Sequence, residues 1–320
     1  MVTRKLSRRQ FNVGCAAFGL SFSTLSARLT AQATAPVTSD SKATRAVAPS
    51  VKLPDGTSVP PLGQGCWHLG QGRHPLDVEQ QALRAGISRG MTLIDTSGNY
   101  GNGRSEEVLK SVIAGQRERI FLVSKVEAGQ VSGDGIARAC AASLARLGTE
   151  YMDLYLMHWP VPTAAFGGMV KAFEQLRAAG KIRNWGVSNF SRSQMDDLFH
   201  VPDGTRCATN QVPYSLNNRD IERELVPWCA QHKLPIMAYS PLGGEHNLVV
   251  GDRALAQIAA SHGCSAAAVA LAWVIRSGTV IAIPESGSPA HVEENAAAVS
   301  VSLTPRDLEQ LDAAFPGPRA

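Results

Sequence analysis

Four side chains in this sequence have the chemistry to move a proton: Asp95, Tyr100, Lys125 and His158. Asp95, Lys125 and His158 each close an apolar run of the length of a buried strand. After Asp95, Gly98, Asn99, Gly101 and Gly103 break the chain into a loop, and Tyr100 sits in the middle of it. A tyrosine titrates at about 10 and is a poor acid at neutral pH. A lysine ammonium beside it favours the phenolate, so the sequence predicts a Tyr100 pKa lowered toward a useful range. Asp95 would keep Lys125 charged in a partly dry site, and His158 would hold a substrate oxygen from the other side. Such a set gives a proton to an oxygen, which is half of a carbonyl reduction. The other half is a hydride, which no side chain supplies, so a nicotinamide cofactor is required. Taken singly, each residue also fits a plainer role: a capping acid, a loop aromatic, a strand-end lysine, a structural histidine. Their placement at successive strand ends argues for a joint one.

The elements that must position them form a repeating pattern. Short apolar strands are expected at 62–65, 92–94, 120–124, 154–157, 185–187, 208–210, 235–238 and 280–283. Helix-length stretches lie between them, at 78–89, 105–114, 135–147, 169–179, 221–232 and 266–275. Eight strand–helix units in about 270 residues match the size of an α/β (β/α)8 TIM barrel. The Leu53-Pro54-Asp55-Gly56 turn marks a preceding N-terminal β-hairpin that would cover the bottom of the barrel. Thr304-Pro305-Arg306-Asp307 opens an extra C-terminal helix through Ala314. A doubly wound sheet is the rival architecture, but Gly63-x-Gly65 lacks the third glycine of a dinucleotide turn, and Gly101-x-Gly103 runs into Arg104-Ser105-Glu106. In a barrel the active site lies at the carboxyl ends of the strands. There the sequence places Ser188-Asn189, Asn210-Gln211, Tyr239-Ser240-Pro241-Leu242 and Pro284-Glu285-Ser286, besides the four residues above.

The chain has 320 residues, 44% of them hydrophobic, and a formal charge of +4. Much of that charge lies at the start: residues 1–33 hold five Lys/Arg and no acid, leaving 26 basic against 27 acidic residues. A near-neutral remainder gives no basic patch for nucleic acid. Arg8-Arg9 before the mildly apolar run 13–27 resembles a twin-arginine export signal, with Ala31 and Ala33 in an A-x-A cleavage pattern. The expected organisation is a signal peptide at 1–33, a linker at 34–50 and one barrel at 51–320. Beyond the signal no apolar run reaches the roughly 18 residues of a spanning helix, so no stable membrane insertion is expected after its removal. Localisation in the periplasm follows. Of six cysteines, Cys15 belongs to the signal; Cys66, Cys140, Cys207, Cys229 and Cys264 show neither C-x-x-C spacing nor a disulfide framework. The eight histidines contain no His-x-His metal pattern, and no metal site is expected.

From Val51 to Ala320 the sequence resembles the aldo-keto reductase family. The resemblance rests on Leu53-Pro-Asp-Gly with Pro61-Leu-Gly-Gln-Gly, Ile94-Asp95-Thr96 with Tyr100-Gly101, Ser124-Lys125, and Met157-His158-Trp159-Pro160. It implies Tyr100 as general acid/base, Asp95 and Lys125 as its tuning pair, and His158 as the residue that orients a carbonyl. Histidine at 158 resembles the carbonyl-reducing members, not the double-bond reductases. The resemblance further implies that Ser188, Asn189 and Gln211 hold a nicotinamide carboxamide, that Tyr239 stacks on the ring, and that Ser240 and Leu242 cradle the pyrophosphate. Ser286, His291, Glu294 and Asn295 correspond to the adenosine-phosphate motif.

One position departs from that motif: Glu285 stands where the family usually has a lysine. A carboxylate repels a 2′-phosphate but accepts hydrogen bonds from a bare ribose hydroxyl. The cofactor is therefore expected to be NADP(H) or NAD(H), with NADPH preference weakened. Short segments after His158 and Tyr239 predict an open, shallow pocket for small aldehydes or ketones such as dicarbonyls, with Trp67 and Trp159 as apolar walls. The chain is expected to act as a monomer. The competing functional reading is a nucleotide-binding redox sensor or auxiliary subunit with little turnover; the intact set of four disfavours it.

Overall fold

The computed structural model describes residues 49–244 and 247–318. The twin-arginine signal and most of the linker lie outside the described residues.

Strands β1 (Val51–Lys52) and β2 (Ser58–Val59) pair antiparallel around the turn at Gly56. The eight barrel strands follow: β3 (Gln64–Gly65), β4 (Leu93–Asp95), β5 (Phe121–Val126), β6 (Met152–Met157), β7 (Ile182–Ser188), β8 (Asn210–Pro213), β9 (Ile236–Tyr239) and β10 (Val280–Ala282). All neighbouring pairs are parallel and in chain order. The cylinder closes where Leu62 bridges Ala282 and Gly65 bridges Glu285, with Gly63 N–H donating to Ala282 O at 2.8 Å and Gly65 N–H to Pro284 O at 2.9 Å. The eight expected strands are all present.

Strand residues alternate between the bore and the helix layer. Leu93, Val123, Leu154, Met237 and Ile281 meet inside the bore, and Val51, Leu53 and Val59 of the hairpin plug it from below. The other face of each strand packs under the helices α1 (Leu76–Ser88), α2 (Arg104–Ile113), α3 (Gly135–Leu147), α4 (Phe166–Ala178), α5 (Arg192–His200), α6 (Leu225–Gln231), α7 (Arg253–His262), α8 (Ala266–Ile275) and α9 (Pro289–Ala296), with α10 (Pro305–Ala314) outside. Eight residues of α8 are buried, as its sequence AAAVALAWVI demands.

Helix boundaries follow local chemistry. Ser191 and Gln194 form a capping box for α5, and Thr304 with Asp307 forms another for α10, where Pro305 takes the first turn. Asp252 and Ser265 cap α7 and α8. Helices α5, α7 and α9 were not among the expected stretches, although their caps are visible in the sequence. The helix expected over 221–232 begins only at Leu225, because Pro227 has no N–H to donate and is tolerated only in a first turn. The strand expected over 208–210 extends to Pro213, while Ala208 N–H already donates to Trp185 O at 2.8 Å. Among the described residues no single helix is long and apolar enough to cross a membrane, and no group of three potential ligands could hold a metal ion.

Candidate active site

Two residues above the apolar plug, the same strands turn polar. Asp95 ends β4, Lys125 sits in β5, and Tyr100 rides a 3-10 turn (Tyr100–Gly103) between β4 and α2. That turn needs left-handed backbone at Gly101 (φ 56°) and Gly103 (φ 91°), which glycine adopts without a Cβ penalty. At Gly103 an added Cβ would also come within 2.7 Å of the Arg146 side chain.

Lys125 is 2% exposed and its ammonium donates three hydrogen bonds: to Asp95 Oδ2 at 2.7 Å, Thr96 O at 2.9 Å and the Tyr100 hydroxyl oxygen at 3.0 Å. An ammonium has three donors, so Lys125 is saturated. Since the Tyr100 oxygen accepts from Lys125, its own O–H is left to donate outward into the mouth. Gln211 Nε2 donates to Asp95 Oδ1 at 2.8 Å, completing a chain that runs Gln211, Asp95, Lys125, Tyr100. Burial opposes charge on Lys125, but Asp95 and then Tyr100 outweigh it and raise its pKa, so the ammonium is retained as expected.

Tyr100 corrects the sequence reading. Burial pushes its phenol above the ordinary value; the Lys125 ammonium pulls down but does not win, and the Asp95 carboxylate adds to the rise. The ammonium alone would lower the pKa, but desolvation of the phenolate is the larger influence. The consequence is a tyrosine that stays protonated at neutral pH, with Lys125 placed to stabilise the phenolate as its proton leaves.

His158 is buried just past β6, its ring centroid 5.8 Å from that of Tyr100 in an edge-on arrangement. Its Nδ1 lies 2.5 Å from Glu127 Oε1 and 3.5 Å from Ser97 Oγ. Burial first and the Lys125 ammonium second lower its pKa, while Glu127 pulls upward. Glu127 was missed in the sequence. It lies two residues past Lys125, and strand alternation puts it on the same face, which was the available signal.

The cofactor-side residues divide into two groups. Ser188, Asn189 and Tyr239 come together at the ends of β7 and β9: Tyr239 O–H donates to Asn189 Oδ1 at 2.9 Å, and Asn189 Nδ2 donates to Ser188 Oγ at 3.1 Å and His158 O at 3.0 Å. Asn189 (φ 64°) and Ser240 (φ 48°) hold left-handed backbone, a strain that clusters at binding sites. A flat aromatic beside amide and hydroxyl groups fits a nicotinamide ring and its carboxamide. Gln211 joins them through its main chain, its carbonyl oxygen accepting from Ser188 Oγ at 2.8 Å and Asn189 N–H at 2.9 Å, while its side-chain amide donates to Asp95. Leu242 packs against the core from the next turn. At the far end Ser286 accepts from Ser288 N–H at 3.1 Å; in α9 His291 and Glu294 are exposed and Asn295 is buried. Glu285 turns toward the first strand, accepting from His68 N–H at 3.0 Å with His68 Nδ1 3.1 Å away. This His68 contact was also missed, since it joins residues 217 apart. Trp67 and Trp159 are 51% and 48% exposed at the rim, and Trp159 stacks on His158.

An eight-stranded parallel barrel with a protonated tyrosine, a saturated lysine and a histidine at its mouth defines a carbonyl-reducing oxidoreductase dependent on a nicotinamide cofactor. The sequence pattern of the Aldo/keto reductase family matches residues 61–315, and the chain belongs to that family. It is similar to the methylglyoxal reductase YeaE of Escherichia coli, 46% identical over 84% of this chain and 95% of the relative. Among solved structures it resembles an aldo/keto reductase from Klebsiella pneumoniae in complex with NADP and acetate, at 42% identity and a TM-score of 0.82, covering 86% and 98% of the two chains. A Klebsiella pneumoniae aldo-keto reductase in complex with NADPH superposes with a TM-score of 0.81 at 43% identity, covering 86% and 97%.

Proposed function

We propose that Tyr100 gives the proton and His158 orients the substrate oxygen in the reduction of small aldehydes and ketones, α-dicarbonyls among them. The bound nicotinamide supplies the hydride. The observation that carries this reading is the Lys125 ammonium, used up on Asp95, Thr96 O and Tyr100, so that the tyrosine's own proton faces outward. As the proton leaves, negative charge develops on the phenol oxygen 3.0 Å from a fixed positive one, an interaction stronger after transfer than before. The open rim between Trp67 and Trp159 favours small substrates, and similarity to a protein named methylglyoxal reductase supports dicarbonyls. Replacing Tyr100 by Phe should cut reduction of a small-aldehyde panel by about 10²–10⁴ and leave nicotinamide binding intact. Reduction at close to the wild-type rate would overturn the assignment, and an unaltered wild-type protein that binds nucleotide without turnover would favour the sensor reading.

For the cofactor, Glu285 supports a weakened preference for NADPH, because its carboxylate stands at the position matched to a phosphate-pairing lysine. Dissociation constants for NADPH and NADH measured side by side test it, and a large preference for NADPH sinks it. Export by the twin-arginine route and work in the periplasm are proposed on Arg8-Arg9 and the apolar run after them. That route carries folded proteins, so the enzyme would leave with its nucleotide bound. Fractionation of cells expressing the chain with both arginines changed to lysine tests export; an undiminished periplasmic pool would refute it. A monomer is proposed, to be checked by light scattering.

A further inference from the structure

Among the described residues Glu127 is the one carboxylate whose oxygen meets His158, at 2.5 Å from Nδ1, and the proposed proton transfer does not use it. The other groups around the ring come from every neighbouring element. Lys125 lies on the same strand as the approach to Glu127, Asp95 and Ser97 end and follow β4, Tyr100 comes from the loop beyond, and Trp159 stacks beside the ring. Asn189 holds the residue's main-chain oxygen from β7. With the main chain fixed and Nδ1 committed to the Glu127 side, Nε2 is the nitrogen left for a ligand.

A neutral imidazole carries one N–H and an ionised carboxylate only accepts. Facing Glu127, the ring's single proton belongs on Nδ1, and Nε2 is then a bare lone pair. A carbonyl oxygen also only accepts, so a neutral His158 in that tautomer offers it nothing. We infer that Glu127 is a positioning residue that fixes His158 with its proton on Nδ1, so that His158 presents a donor to the substrate oxygen only as the imidazolium. This rests on the reading of His158 as the group that meets that oxygen. The ring's own proton is not consumed: Tyr100 supplies the proton to oxygen, and His158 polarises. Burial and Lys125 work against the imidazolium, and Glu127 opposes them, so the charged form is the minority at neutral pH and grows as pH falls.

The test has two arms. In ¹⁵N-labelled, cofactor-free protein, long-range ring correlations should show neutral His158 protonated on Nδ1, and Glu127→Gln should lower the pH at which the ring titrates. For turnover, wild-type kcat/KM for carbonyl reduction should fall about tenfold per pH unit above that titration, in step with loss of the imidazolium. A glutamine can turn its NH2 toward Nδ1 and let the neutral ring carry its proton on Nε2, so Glu127→Gln should flatten this limb to less than about twofold per unit. Glu127→Asp, which keeps an acceptor-only group, should restore the wild-type slope. A neutral wild-type ring protonated on Nε2, or a titration that Glu127→Gln does not move, would overturn the inference. The first arm needs no turnover, so a ring that behaves as expected while the kinetic limbs of wild type and Glu127→Gln coincide refutes the role of His158 at the substrate instead. A general structural role for Glu127 would lower activity in both variants without changing the slope.

Discussion

The bore of this barrel has two ends built by the same strands on the same alternation. At the lower end Leu93, Val123, Leu154, Met237 and Ile281 close under Val51, Leu53 and Val59, with no polar side chain among them. Two residues further along, β4 and β5 present Asp95 and Lys125, equally buried. At the floor burial is favourable in itself, at roughly 25 cal/mol per Å² of apolar surface. At the mouth burial is unfavourable, and the charged groups stay there because each donor and acceptor is matched: Lys125 with three partners, Asp95 with Lys125 and Gln211. The floor therefore holds the fold and the mouth spends structural precision on chemistry.

Substitutions at the two ends should separate these roles. The largest effect is expected from Tyr100→Phe, which removes the proton donor: kcat/KM should fall by about 10²–10⁴, with about 1–3 kcal/mol of lost stability because one Lys125 N–H loses its acceptor. Asp95→Ala should break the contrast, since it leaves the Lys125 ammonium buried and unpaired; loss of activity should come with about 3–5 kcal/mol of lost stability in urea unfolding. Leu154→Ala at the floor should cost about 2–5 kcal/mol of stability, while the folded fraction turns over at the wild-type kcat. If that variant instead loses kcat while folded, floor and mouth are coupled and the division fails.

A smaller effect lies outside the bore. Thr304 and Asp307 cap α10, and His262 Nε2 lies 2.9 Å from Asp307 Oδ2. Burial, the largest single influence, raises the Asp307 pKa, but the His262 and Thr304 hydrogen bonds together outweigh it and lower the carboxyl below its ordinary value. A lowered carboxyl contributes stability that is present above the unfolded value of about 3.9 and lost as pH falls through the folded one. Thr304→Ala should cost about 0.5–2 kcal/mol at pH 7 and less at pH 2, by denaturant midpoints with reduction kinetics unaffected.

Much of this arrangement was legible in the chain itself. Eight apolar runs, each ending in a polar or aromatic residue, specify parallel strands with a shared mouth, because a strand buried on both faces has to be apolar until it reaches solvent or a site. Asp95, Tyr100, Lys125 and His158 were legible for the same reason, and so were Ser188, Asn189 and Tyr239. The unread helices α5, α7 and α9 each follow an expected strand; Ser191 and Asp252 cap the first two, while α9 opens with Pro289 after Ser288, which makes no side-chain cap bond.

The sequence determined, then, which residue types stand at the strand ends, and hence the barrel, the family and the acid–base set. The tertiary structure decided how those groups are shared out. It tied the Gln211 amide to Asp95, across 116 residues of chain, while the Gln211 main-chain oxygen accepts from Ser188 and Asn189. It set Glu285 against His68 and Glu127 against His158. It also reversed the expected direction for Tyr100, because a pKa is the balance of desolvation against nearby charge, and the degree of burial exists only once the walls of the barrel have closed around the residue.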